Sequence, residues 1–474
     1  IRERLVKKNA DAYEPDLARS YNNAGIFYKD QGQPKKAEKY YLAAIEIRER
    51  LVKKNAAAYE PDLAGSYNNA GTFYAIQGQP GKAEKYFLAA IEIRERLVKK
   101  NAAAYEPDLA DSYNNAGVFY SDHNQPDKAE KYYLASMEIY ERLVEKNADA
   151  YEPDLAMSYN DAVAFYHKQG QPKKAEKYFL AAIEIRERLV EKNIDTYGPD
   201  FARSYSAAGV FYDNQGKPKK AEKYYLAAIE IRERLVEKNA AAYEPYLADS
   251  YNNAGAFYYK QGQSDKAEKY YLAAIEIYER LAEKNADAYE PDLAGSYNNA
   301  GIFYKKQGQP EKAEKYYLAA IEIRERLVKK NAYAYEPYLA ASYNNAGNFY
   351  SDQGQPEEAE KYYLSAMEIY ERLAEKNADA YEPDLADSYN NAGIFYKDQG
   401  QLEKAEKYYL SAIEIRERLV KKNADAYEPD LASSYFNYCF LKKDGTYLIK
   451  AYEIAKRRQD DPRCKTIVEF VESM

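Results

Sequence analysis

The sequence predicts an all-α protein: a right-handed α-solenoid (superhelix) of tandem helix-turn-helix repeats with a 46-residue period. Three observations predict it. The stretch from Tyr13 to Glu46, YEPDLARSYNNAGIFYKDQGQPKKAEKYYLAAIE, recurs nine times at a spacing of 46 residues, and a tenth, eroded copy follows. Each copy shows two consecutive runs of apolar residues at helical spacing. Turn-forming residues stand at only two places per copy, which leaves room for two helices and none for a strand.

In the first helix of a copy, Pro15 suits the first helical position, where its missing N–H has no partner to lose. Glu14 can cap, and Asp16 in the first turn favours the helix dipole. Leu17, Tyr21, Ala24 and Tyr28 form one packing stripe. Gly32 ends the helix as a left-handed residue. Its column is glycine in every copy except for Asn124, and asparagine is the other residue that tolerates that backbone.

Pro34 opens the second helix; Ser264 and Leu402 replace it in two copies. Ala37, Tyr40, Tyr41, Ala44, Ile45, Ile47 and Leu51 make a wide apolar face, suited to touching both the partner helix and the next copy. Glu46 with Arg50 and Glu49 with Lys53 stand in the favourable i,i+4 order. The helix should stop at Asn55, whose column is asparagine from Asn9 to Asn423; a left-handed C-cap is expected there. Tyr13 and its equivalents should fold back on the first turn of the next helix.

Three segments follow from this pattern. Residues 1–12 read as the end of a truncated repeat, 13–428 as nine tandem repeats, and 429–474 as a degenerate tenth repeat with a C-terminal capping helix. In the last segment a turn is expected at Asp444-Gly445 and a short helix from Leu448 to Arg458. A final helix should start at Asp461-Pro462, with Ile467, Val468, Phe470, Val471 and Met474 on one side. Val163 stands in the Gly25 column, where paired helices come closest, so an irregularity is expected at the fourth and fifth copies.

The bulk numbers exclude several functions. The net charge is −8, with acidic and basic residues interleaved; no basic patch is left for nucleic acid. No apolar run reaches the length of a membrane span. There are 55 tyrosines and no tryptophan, and most recur with the period. Tyrosine reads as the packing residue of these helices, with hydroxyls reaching the surface. Cys439 and Cys464 lie without a CxxC, as two core thiols or a local disulfide. His123 and His167 sit on different copies with no partner at metal or triad spacing. In the cluster Asn9, Asp11, Glu14, Asp16, the Asp11 column becomes Ala57, Ala103 and Tyr333, which argues against calcium. No cofactor, metal or catalytic activity is expected.

Tyr21-x2-Ala24-Gly25-x2-Tyr28, followed by Ala37-x3-Tyr41 and Ala44, resembles the tetratricopeptide repeat over almost the whole chain. Two features depart from it. Ala24 replaces the usual leucine, and no proline ends the second helix, which runs on as in the longer repeats of kinesin light chains and bacterial tandem-repeat proteins. The resemblance implies that first helices line a concave groove and bind extended peptides. Arg19, Asn22, Asn23, Ile26, Lys29 and Asp30 lie opposite the packing stripe. There the copies diverge most, as a binding surface or a drifting solvated face would.

The Asn22-Asn23 pair recurs at Asn68-Asn69, Asn114-Asn115, Asn252-Asn253, Asn298-Asn299, Asn344-Asn345 and Asn390-Asn391. Asparagine is a poor mid-helix residue, so the pair serves either a bound peptide backbone or hydrogen bonds within the solenoid. The family's carboxylate-binding clamp is not expected, because Asp111 stands where it needs a base. The expected function is a scaffold for a protein or peptide partner, with Arg19 and Lys29 favouring acidic side chains and Asp111, Asp249 and Asp387 basic ones. The alternative is a structural protein assembling end to end through the apolar face of Ile1, Leu5 and Val6. The cytoplasm suits the first reading, the extracellular space the second.

Overall fold

The computed structural model describes residues 2–442, 445–459 and 461–474; the expectations for Ile1 and Asp444 fall outside them. Those residues form 22 helices and no strand. Each complete copy is a pair of 21-residue helices, from Ala10–Asp30 with Pro34–Lys54 to Ala378–Asp398 with Leu402–Lys422. The chain forms two compact units, Ile1–Ala208 and Gly209–Met474.

The turn inside each copy follows the expectation. Gly32 has φ 64 and Asn124 φ 54. Gly32 N–H donates to the Lys29 carbonyl (3.0 Å) and Gln33 N–H to Tyr28 (2.9 Å), the two bonds of a Schellman motif. The second helix then starts at Pro34, or at Ser264 and Leu402 in their copies.

The turn between copies corrects the sequence reading. Asn55 is extended (φ −152, ψ 88), not left-handed. It is the only residue between Lys54 and Ala56, the ends of two helices. Its N–H closes one helix on Leu51 (2.9 Å), and its side-chain oxygen accepts Ala58 N–H (3.2 Å) to open the next. Asparagine is among the best N-caps, and here that preference wins over C-capping. The first helix therefore begins ahead of Pro15, which lies inside it. Pro15 gives no N–H to the carbonyl four residues back, so one helical bond is lost. Glu14 does not cap, and Tyr13 lies within the helix, 36% exposed.

Within a copy, the two helices meet at the Gly25 column. A Cβ on Gly25 would lie 2.8 Å from the Tyr41 ring. Glu60, only 6% exposed, pairs with Arg96 across the same kind of helix pair (2.7 Å); removing one partner would strand a buried charge. Between copies, Phe73 packs on Tyr41 (ring centroids 5.4 Å). Tyr67 and Tyr74 donate their hydroxyls to Glu49 (2.7 Å) and Glu38 (2.8 Å) of the preceding copy. Lys82 also donates to Glu38 (3.3 Å) and lies over the Tyr74 ring. The abundant tyrosine is thus a packing residue whose hydroxyls tie each copy to the last.

Arg48 adds a link absent from the sequence reading. It is buried, and its Nη1 donates to the Asp62 carbonyl (2.8 Å) and Ser66 of the next copy. At the copy holding Val163 this link fails. Among the described residues, Arg186 reaches only the Ala156 carbonyl (3.5 Å), and its buried Nη1 has no partner. Ser204 turns to the Asp200 carbonyl of its own helix (2.9 Å).

The C-terminal segment is three helices, Ala424–Lys442, Gly445–Arg457 and Pro462–Glu472. Gly445 opens a helix, which places that start ahead of Leu448. Asp461 caps the last helix by accepting Arg463 N–H (2.8 Å). Ile467 and Val468 are buried, whereas Phe470 and Met474 are exposed, so the expected apolar side is narrower. Cys439 and Cys464 are buried, and neither forms a disulfide. No described helix is long and apolar enough to cross a membrane.

Candidate functional site

The residues opposite the packing stripe lie along the first helices. The asparagine pairs are used unevenly. Among the described residues, every first-position asparagine of a pair except Asn68 is engaged with the following copy, twice through the second-position Asn69 and Asn345. Asn22 accepts from Asn69 (3.2 Å), Asn298 from Asn345 (3.0 Å) and Asn390 from Asn437 (3.3 Å). Asn114 donates to Asp161 (2.6 Å), Asn252 to Ser296 (2.7 Å) and Asn344 to Ser388. The amide oxygens of Asn68, Asn252 and Asn344 are buried without a partner, a costly state that a donor would relieve. Among the described residues, Asn23, Asn115, Asn253, Asn299 and Asn391 make no side-chain hydrogen bond, and each is half-buried or exposed.

Several variable positions find partners inside the chain. Arg19 lies 3.7 Å from Asp16, Lys29 3.2 Å from Asp30 and Lys305 2.8 Å from Asp352. Asp111 and Asp249 accept the hydroxyls of Tyr140 and Tyr278, and Asp387 pairs with Arg416. Tyr140 and Tyr278 occupy the Arg48 column.

Between consecutive first helices open crevices floored by that column. One, of about 360 Å³, is lined by Asp249, Asn252, Asp292, Gly295, Arg324 and Tyr338 among others. Another, of about 320 Å³, holds Met157, Asp161, Arg186, Asp200 and Arg203. Burial pushes the Arg324 and Arg186 guanidinium groups down to about 10. The buried arginine column was readable: Arg48 stands three residues from both Ile45 and Leu51, on the apolar stripe. His123 is half-buried, its ring tilted against Phe119 and its Nδ1 2.8 Å from the Phe119 carbonyl.

Two sets of carboxyl groups respond oppositely to acid. Hydrogen bonds from Tyr120 and Lys128 hold Glu84 below the usual carboxylate range, and those from Tyr304 and Lys312 do so for Glu268. Burial pushes Asp111, Asp161 and Asp249 up. The raised groups contribute stability that is lost as pH rises through their folded values; the depressed ones contribute stability that is lost as pH falls through theirs. The melting temperature should therefore be highest at mildly acidic pH and fall below about pH 4. Thermal melts followed by circular dichroism from pH 3 to 7 check this; a flat profile contradicts it.

Tetratricopeptide-repeat profiles match residues 62–142, 108–188, 154–234 and 338–418 in one form and 17–55, 247–285 and 293–331 in another. This chain is a tetratricopeptide-repeat protein. Among solved structures, the apo form of RapI is similar in fold at 18% identity, covering 86% of this chain and 99% of that one, with a TM-score of 0.51. BtubC (BKLC) from P. vanneervenii is 23% identical over 53% of this chain and 90% of its own, TM-score 0.40. The nearly identical repeats of a putative kinesin light chain from Podosopora anserina are 17% identical over 47% and 96%, TM-score 0.36. No curated protein matches the sequence. Tetratricopeptide repeats generally serve as protein-interaction scaffolds, and the crevices here lie along the repeats' first helices.

Proposed function

We propose that this tetratricopeptide-repeat protein is a scaffold that holds an extended, mixed-charge segment of a partner protein along its first helices. The observation that carries this reading is the division of the asparagines. Asn252, Asn298 and Asn390 tie copies together, while their neighbours Asn253, Asn299 and Asn391 keep free amides beside crevices whose other residues vary. An amide offers both a donor and an acceptor, so a row of them pairs with a backbone of any sequence. The variable columns then choose side chains: Lys29 and Arg19 acidic ones, Ile26, Val118 and Ile302 apolar ones.

Replacing Asn253, Asn299 and Asn391 together with alanine should weaken binding to an array of mixed-charge peptides by about 1 kcal/mol per lost hydrogen bond. The melting temperature should stay unchanged. If the triple variant unfolds, or binds as well as the parent, the reading fails.

A further inference from the structure

The arginines of the Arg48 column have their charge answered in more than one way, and Arg324 has none of them. Arg48 and Arg94 donate to the backbone carbonyls of Asp62 and Asp108, which brings an aspartate carboxylate near each guanidinium; that of Asp108 lies 3.9 Å from Arg94. Arg416 pairs with Asp387. Arg232 donates to the Tyr246 carbonyl, and Asp249, three residues on, supplies the charge. Arg324 donates to the Tyr338 carbonyl (2.9 Å), and the residue three on is Ala341. Arg324 is only 7% exposed, and among the described residues it makes no ion pair. Burial lowers its pKa, and the groups that offset this are two tyrosines, Tyr338 and Tyr370, with no carboxylate. A buried charge without a counter-charge is costly.

The unanswered guanidinium lines the crevice of about 360 Å³. Its Nη1 is held by the Tyr338 carbonyl and Ser342, whereas Nε and Nη2 make no hydrogen bond among the described residues. The exposed ring of Tyr338 lies over it, 5.9 Å from centroid to guanidinium carbon. The same crevice has the opposite need elsewhere. Asn252 lines it with an amide oxygen that is buried and has no donor. Asp292 also lines it, exposed and without an ion pair among the described residues. A ligand carrying only a carboxylate would be repelled by Asp292, and one carrying only an ammonium by Arg324. A zwitterion places each charge on its opposite.

We infer that this crevice binds a free α-amino acid, with its carboxylate on Arg324, its ammonium toward Asn252 and Asp292, and an aromatic side chain against the rings of Tyr335 and Tyr338. The planar guanidinium suits a carboxylate, which takes two parallel N–H bonds. The volume is at the lower end of small-ligand sites. The inference goes beyond the scaffold reading and does not rest on it. Within a partner's extended segment the α-amino and α-carboxyl groups are tied up in peptide bonds, so such a segment lacks the two charges this site pairs.

The probe is L-phenylalanine, measured by isothermal titration at about pH 6, where both of its charges are present. One molecule should bind per chain. N-acetyl-L-phenylalanine lacks the ammonium and L-phenylalanine amide lacks the carboxylate; each should bind about tenfold more weakly or worse. Tyr338→Asp gives Arg324 the carboxylate that Asp62 gives Arg48 and should abolish binding. Tyr338→Asn removes the same ring without adding charge and should bind more tightly than Tyr338→Asp. Tyr246→Asp makes the same change beside Arg232, which already has Asp249, and should leave binding unchanged. The inference is overturned if the parent chain does not bind L-phenylalanine, if either capped analogue binds as tightly, or if Tyr338→Asp and Tyr338→Asn behave alike with helix content intact. Should Tyr338→Asp lose helix, the two analogues decide.

Discussion

Raising the pH above 10 should unfold this chain in one steep transition. In copy after copy, as with Tyr67 and Tyr74, burial and then a hydrogen bond to a glutamate of the preceding copy push the phenol well above its usual value of about 10. The sign follows directly. A group whose folded value is raised contributes stability that is complete below its unfolded value and is lost as pH rises through the folded one. Above pH 10 the unfolded chain releases phenolic protons that the folded chain keeps, so each such tyrosine pulls toward unfolding. These groups are partly exposed and screened, so each contribution is modest. They recur with the repeat, and their pulls add against a total stability of order 5–15 kcal/mol. Tyrosinate absorbance at 295 nm should rise together with the loss of helical circular dichroism. A broad titration centred near 10 with the helix intact would contradict the account.

Replacing Gly301 with valine should destabilise the chain by about 1–3 kcal/mol or more. A Cβ there would lie 2.8 Å from the Tyr317 ring. That ring is buried between two helices and has no room to withdraw. Valine is a slightly better helix residue than glycine, so any loss measures the clash. The reverse change is the companion test. Val163 already stands in this column, with Phe179 in the column of the ring, and its copy is the one in which Arg186 loses its link to Ser204. Val163→Gly should therefore raise stability despite a few tenths of a kcal/mol of lost propensity. Urea denaturation of both variants checks the pair. If Val163→Gly destabilises, the fourth copy has accommodated its valine.

The helix pairs, the turn at Gly32 and the packing stripe were legible in the sequence because each rests on one strong local preference. The start of the first helix was not, because two preferences competed. Pro15 favours the first helical position and asparagine is accepted as a C-cap, so together they placed the boundary too late. The run Asn-Ala-x-Ala after Leu51 held the opposite signal, an N-cap followed by helix formers. The face of the first helices was legible as a set of residues and not as a set of bonds. Asn22 and Asn69 stand 47 residues apart, and nothing in their spacing tells a hydrogen bond between copies from a free amide. The same holds for Asp111 and Tyr140, whose pairing depends on how one copy leans on the next.

The single asparagine between copies has a genetic consequence. Because Asn55 both ends one helix and caps the next, every copy begins and finishes at the same atom-level joint. Excising residues 56–101 would set Asn55 directly before Ala102, a residue that matches Ala56 in kind and in cap geometry. Nearest-neighbour stacking asks for nothing more distant. Unequal crossing-over between such near-identical stretches can therefore add or delete whole copies without remaking a junction. The number of crevices offered to a partner becomes a heritable quantity that changes in integer steps, while the chemistry of each step stays fixed.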